Sequence, residues 1–288
     1  MLWVNRSIME NDIIIFFAAL FGLLIGSFLN VVIYRLPIML DKAWTAAARQ
    51  QLNLETEEQA KFNLLTPPSR CGNCGSAVKP WQNIPVISWL ALRGRCASCR
   101  HPISIRYPLV ELLTAVMFGL MAWKFGESWV TVGACLFSAF IVALVFIDAD
   151  TQLLPDDLTL PLVWLGLLFN WQTGFVNLPS ALLGAVCGYM SLWLLFHLFK
   201  LLTGKDGMGY GDFKMLAAIG AWLGVAILPI VVLAAALVGI VAALVKRLAK
   251  GQPMAFGPCL GIAGWLVFLL HEQTDAAIRW WLHSSGFQ

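Results

Sequence analysis

Residues 129 to 150 read WVTVGACLFSAFIVALVFIDAD, an uncharged apolar run followed at once by Asp148 and Asp150. A helix needs about 20 apolar residues to cross roughly 30 Å of hydrocarbon. This run meets that requirement and places carboxylates where it ends. Outward from it, comparable runs lie near 12–34, 108–125, 155–171, 179–199, 213–224, 226–245 and 256–271, of which 155–171 and 213–224 are short. With 129–147 they predict an all-α polytopic membrane protein of about eight transmembrane helices. The first run is too long for a signal-peptide core and is followed by Asn30, Tyr34 and Arg35 rather than a small-residue cleavage site, so it is expected to be retained.

Composition agrees with this solvent. The 288 residues are 59% hydrophobic and 12% charged, and mean hydropathy is +0.77, far from ordinary soluble domains. Thirteen Trp and 18 Phe suit a lipid-facing surface with interfacial aromatic belts. A net charge of +3 gives no ground for a nucleic-acid partner.

The distribution of charge carries more than its sum. Ten of the 19 Lys and Arg fall between Arg35 and Arg106, the single long polar segment, which the positive-inside rule places in the cytoplasm. Threading eight spans from that anchor puts Lys200, Lys205, Lys246, Arg247 and Lys250 inside and leaves Arg6, Lys124 and Arg279 outside. The loops 148–155 and 204–212 then both emerge on the cytoplasmic side. Three parts are expected: a first helix over 1–34, a cytoplasmic domain over 35–107, and a transmembrane core over 108–288. Within the cytoplasmic part, a surface helix capped near Asp41 is expected somewhere between Asp41 and Leu64.

That domain holds Cys71, Cys74, Cys96 and Cys99, two CxxC pairs. Each pair lets two thiolates converge on one ion from a tight turn, here with Gly72 and Gly75, and two such knuckles complete a closed tetrahedral shell. Zinc as a structural staple is the expected ion. Two disulfides are the plain alternative, disfavoured in a reducing cytoplasm. Cys135, Cys187 and Cys259 sit in apolar runs and read as small packing residues.

Acids beside hydrocarbon are costly, so each is a candidate for function. One group is Asp148, Asp150, Asp156 and Asp157 in IDADTQLLPDD; the other is Asp212 in GKDGMGYGDFK. Asp156 and Asp157 follow Pro155 and read as helix-start residues. Asp212 could cap its own helix too, but the glycines before it strip side chains from the backbone and admit an extended substrate strand. Two carboxylates brought together divide their roles, one an ionised base for water and the other a protonated partner of the carbonyl. Asp148 and Asp212 are therefore the expected catalytic pair of a peptidase. No HExxH or GxSxG motif competes. An ion-coupled transporter is the rival class, although its acids would sit near the midplane in broken helices.

The chain resembles the type IV prepilin peptidases, the leader peptidase and N-methyltransferase enzymes of type IV pilus and type II secretion systems. The likeness rests on GSFLNVVIYRLP at 26–37, the paired CxxC knuckles, RYPLVE at 106–111, IDADTQLLPD at 147–156, GMGYGDFK at 207–214 and FGP at 256–258, in this order. It implies that Asp148 and Asp212 are catalytic, that the four cysteines hold zinc, and that S-adenosylmethionine donates a methyl group. It also implies type IV prepilins and type II pseudopilins as protein substrates, the bacterial inner membrane as location, and a cytoplasm-facing site. No glycine-rich dinucleotide loop identifies where the methyl donor binds. Glu111 is a candidate for orienting the substrate amine, with an interhelical hydrogen bond as its plain alternative; Gly22 and Gly26 form a GxxxG expected to serve helix packing.

Overall fold

The computed structural model describes residues 2–54, 61–172, 174–246 and 255–284. Arg247, Lys250 and Gln288 lie outside them, and of Arg6, Lys246 and Arg279 only the backbone is described. The elements are α1 (Leu2–Gln51), a 3-10 turn (Pro80–Asn83), α2 (Ile87–Ala91), α3 (Arg106–Phe125), α4 (Trp129–Thr151), α5 (Asp156–Gln172), α6 (Leu178–Thr203), α7 (Tyr210–Leu223), α8 (Leu228–Lys246), α9 (Gly257–Leu269) and α10 (His271–Ser284). Among the described residues there is no β-strand, only two isolated bridges. Each of the eight apolar runs is helical, and five helices, α1, α3, α4, α6 and α8, are long and apolar enough to cross a membrane.

The chain divides into two compact units, Met1–Glu127 and Ser128–Gln288. In the first, α1 lies on α3. A side chain at Gly22 would meet the Cα of Ala115 at 2.7 Å, and one at Gly26 the Cα of Glu111 at 2.7 Å. The GxxxG therefore does serve helix packing: without Cβ atoms the two backbones touch. Asn30 adds a hydrogen bond from Nδ2 to the Tyr107 carbonyl, 3.1 Å.

The first helix does not stop where its apolar run does. Helix α1 runs on to Gln51 with Pro37 inside it, so no separate helix starts with a cap at Asp41. A proline's ring conflicts with the carbonyl four residues back, which bends a helix as readily as it ends one. Arg35, read from sequence as an orienting charge, is buried and donates to the carbonyls of Asn63 at 2.9 Å and Pro67 at 2.7 Å. It pins the returning polar chain to α1.

In the second unit α7 is central, with every residue from Asp212 to Leu223 except Lys214 buried. Helix α6 approaches it backbone to backbone: a side chain at Gly184 would strike the carbonyl of Gly220, and one at Gly188 would meet that of Leu216 at 2.7 Å. Helix α5 is tied to α7 by polar bonds, Asn170 Nδ2 to the carbonyls of Ala221 (2.8 Å) and Trp222 (3.0 Å) and Trp222 Nε1 to that of Leu162 (2.9 Å). Trp222 also stacks on Phe169 at 5.3 Å and meets Phe137 at 5.3 Å. Helix α9 joins α4 through Trp265 Nε1 and Ser138 Oγ, 2.9 Å. The large apolar side chains left exposed, such as Leu194, Leu233 and Leu237, are spread along α6 and α8, which suits hydrocarbon rather than water as their solvent.

Candidate functional site

Helix α4 ends because Gln152 adopts a left-handed conformation, φ +54°, with its N–H returned to the Asp148 carbonyl. This cap leaves the Asp148 side chain one turn inside the helix and only 5% exposed. The backbone N–H of Gly257, first residue of α9, donates to the carboxylate. The approach has no spare room, because a side chain on Gly257 would collide with Asp148 Oδ2 and meet Leu154 Cδ1 at 3.0 Å. Oδ2 itself is buried with no hydrogen-bond partner among the described residues. A buried, half-satisfied carboxylate has a site to serve or a cost to explain.

Asp212 is the third residue of α7, whose N-cap is Gly209. The Asp212 carboxylate reaches back to the Gly209 N–H, which is how an acid at this position satisfies a free amide of the first turn. Capping and chemistry were alternatives in the sequence; the structure shows that the capping half is real and does not exclude the other. Asp212 is 6% exposed, and Asp148 is near enough for the two charges to interact. Leu154 separates the glycines of two helix starts, being 2.7 Å from a side chain built on Gly211 as well as touching Gly257. The ends of α4, α7 and α9 thus converge on one place, and two acids distant in sequence share it.

The neighbouring acids fall elsewhere. Asp150 is exposed. Asp156 and Asp157 occupy the first turn of α5 as expected, but Asp156 also pairs with Lys214 of α7. Sequence reasoning missed this ion pair, which ties α5 to the turn of α7 that carries Asp212. It also missed Gly257: the only signal was the FGP triplet opening an apolar run, with nothing to say which carboxylate it would meet.

The four cysteines are gathered, each contributing a sulfur within 4.8 Å of the others. Cys71 Sγ and Cys99 Sγ are 3.8 Å apart, the edge expected of a tetrahedron with bonds of about 2.3 Å to zinc. The two turns repeat one another. Cys71 N–H donates to Ser76 and its carbonyl accepts from Gly75, while Cys96 N–H donates to His101 and its carbonyl accepts from Arg100. The fourth position after each first cysteine is left-handed, φ +69° at Gly75 and +61° at Arg100. Gly72, by contrast, faces open space and has no such φ. The backbone N–H groups of Cys99 and Ser98 pull the Cys96 thiol down from 9.0 to about 6, and Ser76 lowers that of Cys74. A Cys96 thiolate so stabilised binds a metal without first losing a proton at neutral pH. The residues present fit a four-coordinate metal ion.

Glu111 makes the plain interhelical bond, with Ser27 of α1, and a second bond besides. It is buried on α3 and accepts the Val86 N–H at 2.7 Å on Oε2. Val86 is β-branched and held at φ +59°, a conformation such residues avoid unless their surroundings impose it.

Residues 20–125 match the bacterial peptidase A24 N-terminal domain and residues 135–244 the type IV leader peptidase family. A protein named prepilin leader peptidase/N-methyltransferase from Neisseria gonorrhoeae is 57% identical over 92% of this chain and 93% of its own. Proteins of the same name from Pseudomonas aeruginosa and Aeromonas hydrophila are 50% and 52% identical, over 93% and 91% of this chain and 93% and 92% of their own. No solved structure gives a significant match. With both domains matched in order and such relatives aligned over nearly their whole length, the chain is an enzyme of the type IV leader peptidase family.

Proposed function

We propose that the protein removes the leader peptide of type IV prepilins, and of type II secretion pseudopilins, with Asp148 and Asp212, and methylates the new N-terminus with S-adenosylmethionine. The observation that carries the first activity is the pairing of two buried carboxylates, from the end of α4 and the start of α7, within charge–charge reach. Like charges that close favour one shared proton. The ionised member takes a proton from water as the oxygen attacks the scissile carbonyl. The protonated member donates a hydrogen bond to the carbonyl oxygen and so bears its developing charge. The proton gained by the base then passes to the leaving amine. Gly209, the N-cap of α7, keeps the approach free of a side chain, as an extended peptide segment requires, whereas Gly211 packs against Leu154.

The second activity enters from the relatives, each a prepilin leader peptidase/N-methyltransferase by name. Eight spans, with the cytoplasmic part at 35–107 and the membrane core at 108–288, put both aspartates at the cytoplasmic face of the bacterial inner membrane, where a basic leader would lie. Zinc on Cys71, Cys74, Cys96 and Cys99 staples the cytoplasmic part; a closed all-cysteine shell leaves no position for catalysis.

The test is Asp148→Asn and Asp212→Asn, each in purified full-length enzyme given a prepilin. Both should abolish cleavage while zinc content and membrane insertion stay normal, because the amide conserves volume but cannot share the proton. Asp156→Asn should retain most activity, since its pair with Lys214 is solvent-exposed and such pairs contribute at most about 1 kcal/mol. Cleavage at the wild-type rate by either of the first two variants would remove that residue from the dyad.

A further inference from the structure

The first unit contains a cavity of about 560 Å³, walled by α1, α3 and the cysteine-bearing segment. Small-molecule sites run from about 300 to 1,000 Å³, so this one holds a nucleoside-sized ligand. Its lining is chemically uneven. Glu111 contributes a carboxylate that is 7% exposed, already oriented by the Val86 N–H and by Ser27. Arg70 lines the same space, as do the aromatic residues Tyr34, Trp89 and Tyr107. Arg35 also lines it, but its guanidinium is committed to the carbonyls of Asn63 and Pro67.

This inventory selects among ligand classes. A buried acid asks for a cation, because hydrogen bonds from Val86 and Ser27 orient the carboxylate but leave its charge unmet. Aromatic faces beside it favour a cation that is spread out and poorly hydrated, or a flat heterocycle. An arginine on the same wall offers a partner for a carboxylate. One small molecule joins all of these, an adenosyl sulfonium bearing an amino-acid tail. The strained Val86 turn fits too, since such backbone is held where a ligand is gripped.

We infer that this cavity binds the methyl donor S-adenosylmethionine, with Glu111 facing its sulfonium and Arg70 its carboxylate. The inference rests on the methyltransferase function proposed above and places its donor in the first unit.

Binding can be measured without any turnover, by calorimetry on the full-length, zinc-loaded enzyme in detergent. The probes are S-adenosylmethionine and S-adenosylhomocysteine, which differ in the methyl group and the positive charge on sulfur. Wild-type enzyme should bind both. Glu111→Gln keeps the acceptor for the Val86 amide but loses the charge; it should weaken S-adenosylmethionine at least 10-fold and S-adenosylhomocysteine less than threefold, with zinc content unchanged. Val31→Trp, which fills the cavity from α1, should weaken both ligands at least 10-fold. If both variants bind S-adenosylmethionine like wild type, the donor lies elsewhere and the inference fails, while methyl transfer stands. If Glu111→Gln weakens both ligands alike or loses zinc, the glutamate is a structural latch and its facing of the sulfonium is overturned. If wild type binds neither ligand, the methyltransferase function itself falls.

Discussion

At the scale of single residues, the two aspartates were legible and their supports were not. Asp148 and Asp212 stand out because an acid after an apolar run, or after three glycines in five residues, breaks local expectation. Gly257 does not, since a glycine opening an apolar helix is unremarkable until its partner is known. It now carries a sharp expectation. Gly257→Ala pushes a methyl group into Asp148 Oδ2, and displacing a reacting group by about 1 Å costs on the order of 100-fold in rate. Cleavage of a prepilin peptide should fall by about that factor in kcat with KM near wild type; unchanged kcat would show that α9 does not position the acid. Gly72 and Gly75 looked equivalent beside their cysteines, but only Gly75 needs its φ. Cys96 has its own signature. Amide donors hold its thiolate form down to about pH 6, so in metal-stripped enzyme it should be alkylated fastest of the four at pH 7. Its own rate should fall about tenfold per pH unit below about pH 6 as the thiol protonates, and its lead should close as pH rises toward the ordinary thiol value of 9.0 and the others ionise. Equal rates at pH 7 would contradict the amide donors' effect.

At the scale of elements, the positions of all eight apolar helices could be read because lipid-facing helices are apolar nearly all round. Their ends and joins could not. Helix α1 overran its expected stop because nothing in KAWTAAARQQ opposes helix once Pro37 is passed, and its residues between 41 and 51 are good helix formers. The α6–α7 seam shows why pairing is hidden: Gly184, Gly188 and Gly220 are spaced on two separate helices, and neither stretch names the other. Gly184→Val would drive its side chain into the Gly220 carbonyl. Such overpacking costs about 1–3 kcal/mol, and since α7 carries Asp212, cleavage should fall along with the thermal midpoint in detergent. Gly72→Ala, with open space around it, should leave both unchanged. An unshifted midpoint in Gly184→Val would mean that the seam is looser than drawn.

At the scale of the whole molecule, the eight-span threading predicts that a reporter fused after Leu64 faces the cytoplasm and one after Gln288 the opposite side; a cytoplasmic C-terminus would remove a span. That orientation rests on charge alone, and three of the eight apolar helices fall short of the length a full crossing needs. The shortness of α7 matters most. Its 14 residues rise only about 21 Å, against roughly 30 Å of hydrocarbon. In the eight-span reading proposed above, a helix that short, lying against the longer α5 and α6 and bearing its acid at one end, would leave that acid recessed beneath the headgroups. Hydrolysis then depends on a water-filled dimple in the leaflet, and the enzyme becomes sensitive to hydrophobic mismatch. Thicker membranes deepen the well that water and substrate must descend, and thinner ones bring the aspartates to the surface, so lipid chain length acts as a rheostat on the protease.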